Sequence, residues 1–418
     1  MRKTLPKLSY LFIVTIFLFF SCSKSNLNAP TPSNLPTSVV VHKYGLNPMT
    51  EDQWRDVPVF SSAIFQSGAT DLGLTYASKF PSNYLLATPA VRDQGQMGAC
   101  TGFCGSEADE ILYYYHNVST VSPAITVATG VSTAVNTKFS GAANYFGVDG
   151  AVSPLFLYYV ERCVINKQSI KADDGANMVN IGEALQGLST NAGSGKTLTL
   201  SGKTFKGICT EDLYPYPTTA ITPSSPYNLA TSSSTQFKTA PTSAAITDAP
   251  NFGISVQSGT TGTFGTTVHG YYLINSTGDS TEVANVKIAI LNNTPVMMGF
   301  NVYDNTSTYA YFEGLTTSSY TYNPLVAKTT TTKKNGVTTT TTTYVLNTKL
   351  TLMGGHAVPL IGYVDDGTLS TSATGGGYFV VQNSWGVPWG YYGDFYLPYS
   401  VLRNSSVVPG GSLYVAIL

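Results

Sequence analysis

Three residues in this chain, with a fourth in support, have the types and setting for acyl transfer. Cys100 stands in Ala90-Val-Arg-Asp-Gln94-Gly-Gln-Met97-Gly-Ala-Cys100-Thr-Gly-Phe103, a glycine-rich loop that gives way to a helical pattern. A thiol attacks a carbonyl as thiolate, and a helix N-terminus favours that negative charge. The N–H groups there, with a side-chain amide such as that of Gln94, can donate to the oxyanion that forms. Such a thiolate needs a histidine partner. His42 lies near the start of the chain, His116 at the far end of the Cys100 helix and His269 beside a Ser/Thr-rich stretch, so each reads as a surface or packing residue. His356 differs: Gly354-Gly355-His356-Ala-Val-Pro-Leu-Ile-Gly-Tyr363 places it at the mouth of an apolar strand. Asn383, in Val380-Val-Gln-Asn383-Ser-Trp385-Gly, ends another strand. Its amide can hold an imidazole in one tautomer, and Trp385 can shield that bond from water. Cys, His and Asn in this order make a nucleophile, a base and its orienter.

The elements that must position them are helical first and stranded last. In residues 100–116, Phe103, Ala108, Ile111, Leu112 and Tyr115 fall on one broad face at helical spacing. Ser153-Pro154 opens a second helix over 153–162, a third covers about 177–189, and Val283 to Leu291 forms a fourth. After residue 295 the runs PVMMGFNVY, HAVPLIGYV, YFVVQNSWG, GDFYLPY and SLYVAIL are apolar, β-branched or aromatic and bounded by Gly, Pro and Asn. They read as strands, and the whole as an α+β chain. Residues 189–267 and 327–350 look like insertions, the second made of Thr runs on either side of an Asn335-Gly336 hairpin turn.

Only 11% of the 418 residues are charged, yet 43% are hydrophobic and 12% aromatic, so sparse charge does not mean disorder here. A net charge of −1 lacks the cationic excess that nucleic acid requires. The histidines are scattered and no C-x-x-C occurs, so neither a metal site nor a cofactor is expected. Cys163 and Cys209 are the one pair to consider for a bridge. At the N-terminus Arg2, Lys3 and Lys7 precede an apolar stretch from Leu11 to Phe20, and Ser21 precedes Cys22. Residues 1–21 read as a signal peptide, and the Ser21-Cys22 junction resembles the lipobox of bacterial lipoproteins. That resemblance implies a lipid anchor on Cys22, with residues 22–40 as a Ser/Asn/Pro/Thr-rich tether and the protein on the extracytoplasmic side of a bacterial membrane, the outer membrane by expectation, facing periplasm or cell surface.

In Gln94, Cys100, His356 and Asn383, taken in order, the chain resembles the papain-like cysteine peptidases, whose signature ends in N-S-W-G-x-x-W-G. Asn383 to Gly390 carries that pattern. Met97 and Thr101, where the archetype has Cys and Trp, together with SPLFLYYVER, GICTEDLYPY and GGHAVPLIGY, are similar to the bacterial xylellain-like branch. The resemblance implies a two-lobe fold, helical on the left and an antiparallel β-barrel-like lobe on the right, over residues 81–418. It implies hydrolysis of peptide bonds through a thioester, with Cys100, His356 and Asn383 catalytic, Gln94 in the oxyanion hole, Trp385 in support and Gly175 contacting substrate backbone. Protein or peptide substrates are then the partners, and a monomer is expected. Residues 41–80, holding Tyr44-Gly45-Leu46, are a short N-terminal extension comparable to a propeptide. Two other functions fit the same residues: a Cys–His amidase acting on peptidoglycan stem peptides, and a surface binding module on a catalytically silent fold.

Overall fold

The computed structural model describes residues 42–55, 57–60, 80–117, 152–189, 196–217, 238–254, 270–274, 280–365 and 375–418. The signal peptide, Cys22, the tether and His269 lie outside them. Helix α1 (Cys100–Asn117), helix α2 (Pro154–Tyr159) and helix α3 (Met178–Gln186) build one lobe. Helix α2 starts where Ser153-Pro154 predicts, with the Ser153 hydroxyl accepting from Phe156 N at 3.0 Å. It continues as a π-helical segment, Val160–Ile165. Asn177 caps α3, accepting from Asn180 N, and Gly187 ends it in the left-handed region. Phe103, Phe156, Tyr158, Ile181 and Leu185 fill this lobe. The described parts of the stretch 189–267 are built into the same core, through Leu198, Phe205, Ile208 and Tyr214.

The other lobe is one antiparallel sheet. Its strands are β1 (Asn83–Leu85), β2 (Gly270–Ile274), β3 (Val296–Asp304), β6 (Thr351–Asp365), β7 (Gly377–Gln382), β8 (Asp394–Pro398) and β9 (Leu413–Ile417). They lie in the order β8-β7-β6-β3-β9-β2, with β1 added to β6. Helix α4 (Ser280–Leu291) packs against it, and Phe300, Phe312, Tyr322, Phe379, Trp389 and Phe395 form an aromatic core. The strands expected after residue 295 are present; β1 and β2 were not anticipated. Strand β4 (Leu325–Lys334) and strand β5 (Val337–Leu346) form a separate ribbon, turned by Asn335 and Gly336 at positive φ. Thr329 to Thr332 face Thr342 to Thr339 across it, exposed on both sides. Cys100, Cys104, Cys163 and Cys209 are all free thiols, so the Cys163–Cys209 bridge does not form. The fold is α+β, with a helical and a β lobe. No described helix is long and apolar enough to cross a membrane.

Candidate active site

Cys100 is the first residue of α1, and the helix begins with Phe103 N donating to Ala99 O at 3.0 Å. The backbone amides of Gly45, Ala357 and Thr101 face its sulfur. Ala357 follows His356 in β6, so the two lobes bring the thiol and the histidine strand together. His356 Nε2 lies 2.7 Å from Asn383 Oδ1, and that oxygen also accepts from Ser384 N at 2.9 Å. An amide oxygen can only accept, so Nε2 carries the hydrogen and Nδ1 is left as the basic nitrogen. Among the described residues Nδ1 has no hydrogen-bond partner. The Trp385 ring lies 5.0 Å from the imidazole, buried over this bond.

Gln94 bridges the lobes. Its Oε1 accepts from Ser384 Oγ at 2.7 Å, next to Asn383, and its Nε2 donates to Met97 O at 2.9 Å and to Lys43 O at 3.1 Å. Gln94, Cys100, His356, Asn383 and Trp385 thus converge on one cleft. Gly175 lines it too, at φ +73, where an added Cβ would stand 2.0 Å from Gly45 O. The supports extend into the helical lobe: the Tyr158 hydroxyl donates to Asp173 Oδ1 at 2.5 Å and accepts from Gly175 N.

A segment whose role sequence reasoning left open fills this cleft. Residues 42–47 run through it as extended chain. Ala176 N donates to Gly45 O, Leu46 N to Gly355 O and Asn47 N to Ala176 O, at 2.7 to 3.0 Å. Lys43 Nζ meets Asp173 Oδ2 at 2.6 Å. The backbone approach is so close that a Cβ on Gly45 would stand 1.8 Å from Gly98 O. Of the two alternatives His42 is therefore a packing residue: its ring stacks on Trp385 at 4.0 Å and Nδ1 lies 3.2 Å from Glu313 Oε2. An extended strand of six residues carries no periodic signal. The Gly in Tyr44-Gly45-Leu46 was the one available hint.

Under this cover both the Cys100 thiol and the His356 imidazole are held neutral. Burial pushes the Cys100 thiol up to about 12, against the pull of the surrounding amides. Burial likewise pushes the His356 imidazole down to about 4, although the Asn383 bond favours the charged ring. Low dielectric penalises each charged form while water is excluded.

A two-lobed α+β fold with a cysteine-led helix set against a histidine strand is the architecture of a thiol hydrolase. The sequence model described as papain family cysteine protease matches residues 199–406, which include His356 and Asn383 but not Gln94 or Cys100. The chain is accordingly a papain-like cysteine peptidase, a hydrolase with peptide substrates. In fold it is similar to xylellain, a cysteine protease from Xylella fastidiosa, at 19% identity and TM-score 0.52, over 92% of this chain and 99% of that one. Digestive procathepsin L2 from Tenebrio molitor larval midgut aligns at 18% identity and TM-score 0.45, over 90% of this chain and 78% of that one. No curated protein sequence matches the chain.

Proposed function

We propose that Cys100, His356 and Asn383 hydrolyse peptide bonds through an acyl-enzyme, and that residues 42–47 hold the described form closed. His356 Nδ1 takes the Cys100 proton, and the thiolate attacks the scissile carbonyl. The Cys100 N–H and Gln94 Nε2 donate to the oxyanion. Collapse breaks the C–N bond, and the imidazolium returns the proton to the leaving amine. His356 then takes a proton from water, whose oxygen attacks the thioester, and the thiolate leaves with the acid product free. Asn383 keeps Nε2 protonated throughout.

The observation that carries this reading is the 2.7 Å contact of His356 Nε2 with Asn383 Oδ1, which leaves Nδ1 for the thiol. The occupied cleft supports latency, because Lys43 O sits on the amide assigned to the oxyanion. Residues 1–21 and Cys22 support export and anchoring by lipid on Cys22. Exposure of the opened full-length enzyme to an activated peptide ester, followed by mass spectrometry, tests the mechanism. An acyl group on Cys100 that is released over minutes is expected; acylation of other cysteines only, or none, contradicts it.

A further inference from the structure

Glu313 has no part in the chemistry above, yet its side chain is fully buried (0% exposed) at the edge of the cleft. Its position is rigid. The buried Asp304 carboxylate accepts from the backbone amides of Tyr311, Phe312 and Glu313 at 2.8 to 3.0 Å. Phe312 is anchored in the aromatic core, 5.0 Å from Trp385. Among the described residues, both hydrogen-bond donors to the Glu313 carboxylate come from the segment in the cleft. The Tyr44 hydroxyl lies 2.5 Å from Oε1 and His42 Nδ1 3.2 Å from Oε2. Burial, with Glu313 opposite, raises the Tyr44 phenol well above its ordinary value, so it stays the donor. Asp173 differs: without Lys43 it retains the Gly98 amide and the Tyr158 hydroxyl. Glu313 would retain neither donor. The cleft, once open, presents a rigid carboxylate with both oxygens vacant beside an indole face.

We propose that Glu313 and Trp385 form a pocket for an arginine side chain of the peptide substrate, occupied in the closed form by His42 and Tyr44. This rests on the peptidase reading. A guanidinium is planar and carries a fork of donors, so it can serve both carboxylate oxygens at once. It also stacks on an aromatic face, as the His42 ring does on Trp385, with 6° between the planes. Lysine offers one point charge and no plane, and an apolar side chain leaves the carboxylate bare.

Full-length protein carrying Gly45→Ala, whose extra methyl cannot fit against Gly98 O, supplies the opened enzyme. Peptides with Arg, citrulline, Lys or Leu at each position flanking the scissile bond are compared by kcat/KM. At one position Arg should exceed both Leu and citrulline at least tenfold, and Glu313→Gln should reduce that ratio below threefold. No Arg advantage at any position, or one that survives Glu313→Gln, overturns the proposal while leaving the peptidase reading intact. A second readout needs no cleavage. In the full chain, His42→Arg should slow Cys100 alkylation at least threefold and His42→Ala should accelerate it, with the arginine effect lost in Glu313→Gln. If His42→Arg opens the cleft as His42→Ala does, the pocket does not accept a guanidinium. If the arginine effect is present but no peptide is cut, the pocket stands and the peptidase reading falls.

Discussion

The amide nitrogen of Gln94 donates to the carbonyl of Lys43 at 3.1 Å, so the donor we propose for the oxyanion already holds a carbonyl of its own chain. The remaining Gln94 contacts, to Ser384 and Met97, fix the amide without that carbonyl. Its geometry should therefore persist after the segment leaves. In the opened enzyme, Gln94→Ala is expected to lower kcat by about 10²–10³-fold with a much smaller change in KM. Steady-state kinetics on a peptide amide decides this; a loss confined to KM would remove Gln94 from the oxyanion.

The proposed closure depends on glycine at position 45. An added methyl there would stand 1.8 Å from Gly98 O, an overlap that no small adjustment of a backbone carbonyl relieves. If it destabilises the closed form by more than about 1.4 kcal/mol, accessibility of Cys100 rises by about tenfold or more. The rate of Cys100 alkylation in wild type and Gly45→Ala, followed on the Cys100 peptide, should show this increase. Equal rates would mean that residues 42–47 do not control access.

Closure should respond to pH on the alkaline side. Closed, burial pushes the Cys100 thiol up to about 12 and the His356 imidazole down to about 4, so the two groups hold one proton between them, on sulfur. The open thiolate–imidazolium pair also holds one proton, so closure is independent of pH while that pair persists. Once the open imidazolium titrates, the open form releases a proton that the closed Cys100 keeps, and the closed form weakens as pH rises further. Hydrogen exchange of the Gly45 and Leu46 amides, corrected for intrinsic rates, should show level protection through neutral pH and a fall at alkaline pH. Protection that falls as pH drops from 6.5 towards 4 would mean that the open His356 protonates alone, and would contradict the pair.

Leu325, Tyr344 and Leu346 at the base of the β4–β5 ribbon pack on the aromatic core, but beyond them the Thr side chains are exposed on both faces. Replacing residues 328–343 by a short Gly-Ser turn should change stability by no more than about 0.5 kcal/mol. Chemical denaturation checks this. A larger loss would show that the ribbon packs on the body.

Much of the site was legible because its residues close elements with strong local signals. Ser153-Pro154 marks a cap that forms, and His356 and Asn383 border apolar runs that become β6 and β7. The three-residue β1 is too short to leave a pattern, and it exists only by pairing with Tyr363 and its neighbours. His42 and Glu313 escaped for a related reason. Among the described residues neither side chain has a hydrogen-bond partner close by in the sequence, and the place of each is set by contacts across 271 positions of sequence. No local spacing encodes such a pair.

The central claim is that Cys100 and His356 form a thiolate–imidazolium pair once the cleft opens. The most direct measurement is the rate of Cys100 alkylation by iodoacetamide from pH 4 to 9 in full-length Gly45→Ala, with Gly45→Ala/His356→Ala beside it. Such a pair predicts reactivity that persists well below neutral pH in the first protein and collapses in the second. Alkylation that rises in both only near the ordinary thiol value of 9.0 would contradict it.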